Sequence, residues 1–233
     1  MCMGAFAVGT RDTTCRTLLH AAHAAFRRDL DRLAAAVAAG KGGAAHVRAG
    51  WDNLTQQMDM HHELEDRALW PRVERAVGGR PAELAALAEI RAERARLGPL
   101  IAGVDAALAR AGTGTGTRVG GVGAGADRTG ADRGGAVAAV RALREALEVH
   151  LRHEEATVLP LAESLLEAGQ WRALSDEAAL RCAAGAALFV PWVVDGIAPV
   201  ERSRFLTALP GPVRERNRVL WEPRYRKRRL WST

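Results

Sequence analysis

Tyrosine and phenylalanine are nearly missing from this 233-residue chain, which has one of the former and four of the latter. Isoleucine is scarce as well, so strand-forming residues are few, while alanine and leucine dominate an apolar fraction of 48%. That balance argues against a sheet and for helices. Cysteine is rare: Cys2, Cys15 and Cys182 are scattered, odd in number and never arranged as CxxC. They argue against a disulfide framework or a thiolate metal site and suit a reducing compartment. Long apolar runs are also lacking. The most apolar stretch, residues 183–194, is broken by Pro191 and too short to span a bilayer. The opening MCMGAFAVGT is too short for a signal peptide. The expectation is a soluble, cytoplasmic protein with no membrane partner.

Charge is present but uneven. Between Arg214 and Arg229 stand eight basic residues against Glu215 and Glu222. That segment carries the whole formal net charge of +6, so the rest of the chain is close to neutral. The length allows one sizeable core, or a core domain with an appendage.

Four segments repeat apolar residues at steps of three and four, the spacing of a helix with one buried stripe. The first carries Leu19, His23, Phe26, Leu30, Leu33 and Val37, opening near Asp12 to Thr14 and ending at Gly40. The second carries Val47, Trp51, Leu54, Met58, His61, Glu65 and Ala68 and stops at Pro71 or shortly after. The third opens at Pro81 and carries Leu84, Leu87, Ile90, Arg94, Leu97, Ile101, Val104 and Leu108. The fourth carries Val140, Leu143, Leu147, His150, Glu154, Thr157, Leu161 and Leu165 and ends near Gly169.

Residues 111–135 are Gly-rich and aperiodic and read as a flexible loop. The other connections are short, which makes successive helices antiparallel neighbours. The expected fold is all-α, an up-down-up-down four-helix bundle over residues 13–169. Residues 170–233 are expected to form a helical extension, with short helices over 175–188 and 199–209. Its Pro- and Arg-rich end interleaves Trp221, Tyr225 and Trp231.

Polar residues interrupt the stripes at His23, His61, Glu65, Arg94, His150 and Glu154, where the periodicity asks for leucine or valine. Twice the interruption reads His-x-x-x-Glu: His61 with Glu65, and His150 with Glu154. Residues four apart project from one helical face. Two antiparallel helices that each present a histidine and a carboxylate inward, with His23 from the first helix, make a cage of nitrogen and oxygen donors. Ionised carboxylates in a bundle core are costly unless a cation meets them. A metal ion explains them most economically. Without thiolates the donor set favours iron, with manganese or zinc compatible.

The stretches HAAFRRDL at 23, HHELEDRALWP at 61 and HLRHEEATVLP at 150 resemble hemerythrin-like proteins of the HHE cation-binding type. The resemblance covers roughly residues 13–168. It implies a four-helix bundle holding two irons bridged by two carboxylates and an oxo or hydroxo group. On that pattern His23 and His61 bind one iron, His150 binds the other, and Glu65 and Glu154 bridge. Family members bind dioxygen or nitric oxide, sense oxygen or redox state, store iron, or help repair damaged iron centres.

The third helix departs from the pattern, because Arg94 stands where the family phrase places a histidine. Arginine stays protonated and does not ligate metals. Three outcomes are open. The site holds one metal through His23, His61 and the two glutamates; or His153 or His62 supplies a missing ligand; or the Arg94 guanidinium pairs with Glu65 and Glu154 and replaces the metal. Beside the stripe, His62, His153, Asp66 and Glu155 are expected to orient neighbours rather than ligate.

The functional expectation is a non-haem iron protein that binds a small diatomic ligand or senses redox state. The alternative is a metal-free interaction bundle acting through its extension. A nucleic-acid role for the basic tail ranks third, since no binding motif accompanies it.

Overall fold

The computed structural model describes residues 13–113, 124–182 and 185–232, and every element among them is helical. Four long helices come first: α1 (Thr13–Ala38), α2 (Ala45–Leu64), α4 (Pro81–Thr113) and α5 (Ala124–His153), with the short α3 (Trp70–Val77) after α2. Then follow α6 (Leu159–Leu165), α7 (Ala168–Cys182), α8 (Ala186–Val193), α9 (Pro199–Ala208), α10 (Gly211–Arg216) and α11 (Glu222–Lys227). No described helix is long and apolar enough to cross a membrane.

Three five-residue π-helical turns interrupt the α-helical path, at Glu65–Leu69, Glu154–Val158 and Asn217–Trp221. Each is followed, two residues on, by a proline: Pro71, Pro160 and Pro223. A proline inside a helix has no N–H to give and its ring crowds the carbonyl four residues back. Widening the preceding turn relieves that crowding and lets the helix continue. The Trp70 N–H accordingly reaches the Glu65 carbonyl, and the Glu222 N–H the Asn217 carbonyl, five residues back in each case. The second helix therefore does not stop at Pro71 but runs on to Val77, where Gly78 closes it in the left-handed region at φ 60°.

The widened turns also move the buried face. Each adds one residue to the local repeat, so the stripe beyond it is displaced by one position. After Glu154 the expected Thr157, Leu161 and Leu165 are exposed or half-buried, and Val158, Ala162 and Leu166 are buried instead. After Glu65 the buried residues are Ala68, Leu69, Trp70, Val73 and Val77. Leu84, expected on the third stripe, is 39% exposed at the start of α4.

The Gly-rich stretch is shorter as a connection than the sequence suggests. Helix α4 runs to Thr113 and α5 begins at Ala124, while residues 114–123 lie outside the described residues. Scattered glycines cost a helix roughly 1 kcal/mol each against alanine. The intervening Ala, Asp and Arg residues and the buried Ala136 keep the segment helical. The helix expected from Ser175 starts earlier, at Ala168, and ends at Cys182. The basic tail is helical too, as α10 and α11. Its basic side chains are exposed, with Arg218 held by Glu215 at 2.7 Å and Arg226 by Glu222.

The chain forms two compact units, and α1, α2 and α4 each contribute residues to both. One comprises residues 26–56, 88–154 and 229–233. Its core is Phe26, Leu30 and Leu33 of α1, Trp51 and Leu54 of α2, Ile90 and Leu97 of α4, and Leu143 and Leu147 of α5. Ion pairs Arg27–Glu148 (2.7 Å) and Arg144–Asp31 (2.6 Å) tie α1 to α5, and the Trp51 indole donates to Asp105 of α4 at 3.1 Å. The last residues dock here. The Trp231 N–H donates to the His46 carbonyl at 3.1 Å, and the indole lies so close to Gly50 that a Cβ there would stand 2.5 Å from it. Arg229 (φ 51°) and Trp231 (φ 63°) adopt left-handed backbone that side-chain-bearing residues rarely hold, and docking of the indole over-determines it.

Among the described residues the other unit runs from residue 13 to 25 and takes in 57–87 and 155–228. Helix α3 meets α6, α7 meets the first π turn, and α8 meets the third π turn and α11. Trp70, Val73, Leu159, Leu174, Trp192 and Phe205 are its apolar centre. A polar knot closes its end: buried Glu222 accepts from Arg202, Arg226 and the Asn217 amide, the last at 3.2 Å.

Gly50→Ala is expected to lower stability by roughly 1–3 kcal/mol through overpacking against Trp231. Combined with Trp231→Ala it adds less than its separate effect, because both changes undo one contact. Thermal unfolding of the single and double variants measures this.

Candidate metal centre

Helix α1 delivers His23 and α2 delivers His61 through the same stripes that bury Leu19 and Met58. The two imidazoles meet edge to face, ring centres 4.9 Å apart, with their Nε2 atoms 3.1 Å apart. Glu65 opens the first π turn, one helical turn beyond His61, and places Oε1 3.0 Å from His61 Nε2. His23 and Glu65 are 0% exposed and His61 is 6% exposed. The donor atoms of His23, His61 and Glu65 all lie within 4.8 Å of one another.

Those separations suit a shared cation. Nitrogen and oxygen ligands sit about 2.1 Å from a metal ion of the zinc or iron type, so two at right angles stand about 3.0 Å apart. The Nε2–Nε2 and Nε2–Oε1 distances match that edge. Two lone pairs and a carboxylate converging without solvent are what a hard or borderline cation takes.

The tautomer of His23 is set from outside. Glu155, in the second π turn, accepts from His23 Nδ1 at 2.9 Å, which puts the proton on Nδ1 and leaves the Nε2 lone pair facing His61. Exposed His20 is the third member of this outer group. Burial holds the His23 imidazole down at about 4 from its ordinary 6.5, against the opposite pull of the Glu155 hydrogen bond. At neutral pH it is an uncharged ligand.

The fourth stripe builds a second set. His150 and Glu154 are both 0% exposed, and Nε2 of the former stands 3.6 Å from Oε1 of the latter. The other face of the ring looks toward Glu93 of α4, with Nδ1 3.8 Å from Oε2. Glu93 holds His153 as well, accepting from Nδ1 at 3.0 Å. Each set thus has a carboxylate on the Nδ1 side of its stripe histidine, Glu155 for His23 and Glu93 for His150. Arg94 follows Glu93 and is half-buried. The sequence places Glu93 off the apolar stripe, so periodicity gives no sign of it; its one signal is adjacency to Arg94.

A family model for the hemerythrin HHE cation-binding domain matches residues 16–162, more than half of the chain. The chain belongs to the hemerythrin HHE cation-binding domain family. Neither the curated proteins nor the solved structures give a match. The HHE assignment implies a metal cofactor, and the buried cluster of His23, His61 and Glu65 is able to hold one. In this HHE domain His62, 8% exposed, lies against His61 with ring centres 5.7 Å apart.

Between pH 6.5 and about 4 the unfolded chain binds a proton at His23 that the folded chain refuses. Stability of the metal-free protein is therefore full above pH 6.5 and falls as pH drops through that window, by on the order of 3 kcal/mol from this residue. Urea midpoints measured across the window report the slope, and His23→Asn flattens it.

Proposed function

We propose that this HHE domain is a non-haem iron protein that binds a small diatomic ligand, dioxygen or nitric oxide, or reports redox state through it. His23, His61 and Glu65 would hold the first ion. His150 and Glu154 would supply a second set of donors. The observation that carries the reading is the pair of 3.0–3.1 Å contacts at His61 Nε2, which fit donors around one cation better than neutral groups packed for their own sake. Manganese or zinc fits the same donors, and iron is preferred on the family pattern.

The protein's own groups have three tasks. Glu155 fixes which ring nitrogen of His23 is available, and Glu93 lies on the Nδ1 side of His150 at 3.8 Å. The buried carboxylates offset the charge of the ion. Apolar walls such as Met58, Ala68 and Leu69 keep bulk water out. Iron, when bound, supplies a coordination position that a diatomic ligand can take.

A second reading draws on Arg94, which replaces an expected ligand: a metal-free bundle that acts through its helical extension. Metal analysis separates the two. Protein from iron-supplied cells is expected to carry one or two irons per chain and His61→Ala to carry none, while Glu155→Gln keeps the fold and loses about ten- to a hundredfold in metal affinity. Wild-type protein that takes up no metal under any loading condition supports the second reading.

A further inference from the structure

We propose that Gln57 is the hydrogen-bonding group for an exogenous ligand at the metal centre, and that it favours ligands with an acceptor atom at the outer end, a class for which azide is the probe. The inference rests on the metal reading above and adds the residue that selects the ligand.

Gln57 stands on α2, one turn before His61 and two before Glu65, and so shares their face. Helical side chains lean toward the helix N-terminus, which tilts the His61 ring over the turn that carries Gln57. Gln57 is 2% exposed, and neither its Nε2 nor its Oε1 meets a hydrogen-bond partner in the protein. A primary amide offers two donors and an acceptor, and burying all of them unanswered weakens the folded state. Methionine, nearly the same size and present in the next position as Met58, would fill the space without that penalty. An amide kept dry one turn from a ligand pair is a group waiting for a polar occupant.

Its chemistry narrows the occupant. The amide N–H donates to a ligand atom carrying negative charge, and donation to a charged acceptor is the stronger kind. A ligand without a good acceptor at its outer end, such as carbon monoxide, gains little from it. Azide is a suitable probe, since it gains an acceptor contact from the amide and its binding to ferric iron is read by absorption.

The test loads the full-length protein with ferric iron and titrates it with azide. Gln57→Met is expected to keep the parent's metal content, to lose roughly ten- to a hundredfold in azide affinity, and to unfold at a higher temperature than the parent when metal-free. Gln57→Glu, which turns a carboxylate toward the anion, weakens azide further. The side-chain amide resonances of Gln57 shift when azide is added to the loaded protein and not when it is added to the metal-free protein. Unchanged azide affinity in Gln57→Met at equal metal content overturns the proposal and assigns the amide to a trapped water. A lower unfolding temperature of metal-free Gln57→Met also overturns it, because the amide would then be holding the fold. Absence of metal from the parent protein overturns the underlying reading, and metal analysis registers that before any azide is added.

Discussion

A carboxylate with no solvent exposure needs positive charge within reach, and that requirement organises this protein. Glu65 is fully buried with the imidazole of His61 at 3.0 Å. His23, the neighbour of His61, is kept neutral by burial. A neutral imidazole stabilises an ionised carboxylate weakly, whereas one metal ion among the three would satisfy all of them together. Without the ion, the region is a polar hole in an otherwise apolar stripe. The outer carboxylate Glu155 makes sense in the same frame, since an imidazole serves as a ligand only if the correct nitrogen is left unprotonated.

The helices place these groups by a backbone device as much as by their stripes. Both His-x-x-x-Glu pairs end in a glutamate that begins a π turn, with a proline two residues beyond the turn. The extra residue rotates everything that follows, so the His–Glu pair and the apolar residues after it face inward on different registers. The third π turn, at Asn217–Trp221 ahead of Pro223, follows the same rule in a part of the chain with no His-x-x-x-Glu pair. The widened turn thus goes with a proline rather than with a ligand pair, although Pro99 sits inside α4 without one, and both His-x-x-x-Glu stretches contain it. Asn217 and Glu222 occupy the buried side of that third turn with a hydrogen-bonded ion cluster, a closed knot in place of an open ligand cage.

What the amino-acid order reveals depends on whether the period of 3.6 is maintained. On α1 it is, and Leu19, His23, Phe26, Leu30, Leu33 and Val37 are all buried as spaced. On the second stripe it holds as far as Ala68. Beyond Glu154 it does not, and Thr157, Leu161 and Leu165 were legible as a stripe only on the assumption of an unbroken α-helix. Glu93 and Gln57 escape for a different reason: both are polar and stand one position before the stripe residues Arg94 and Met58, where the spacing does not mark a polar residue as turned inward. The docking of Trp231 on Gly50 joins residues 181 positions apart in the sequence and leaves no local trace.

The central claim is that His23, His61 and Glu65 converge on a metal ion. Metal K-edge X-ray absorption on the purified protein tests it most directly. The account predicts a first shell of nitrogen and oxygen alone at about 2.0–2.2 Å, with the outer scattering of coordinated imidazole, lost in a His23→Ala, His61→Ala double variant. A sulfur shell at about 2.3 Å, or a shell with no imidazole scattering, would contradict it.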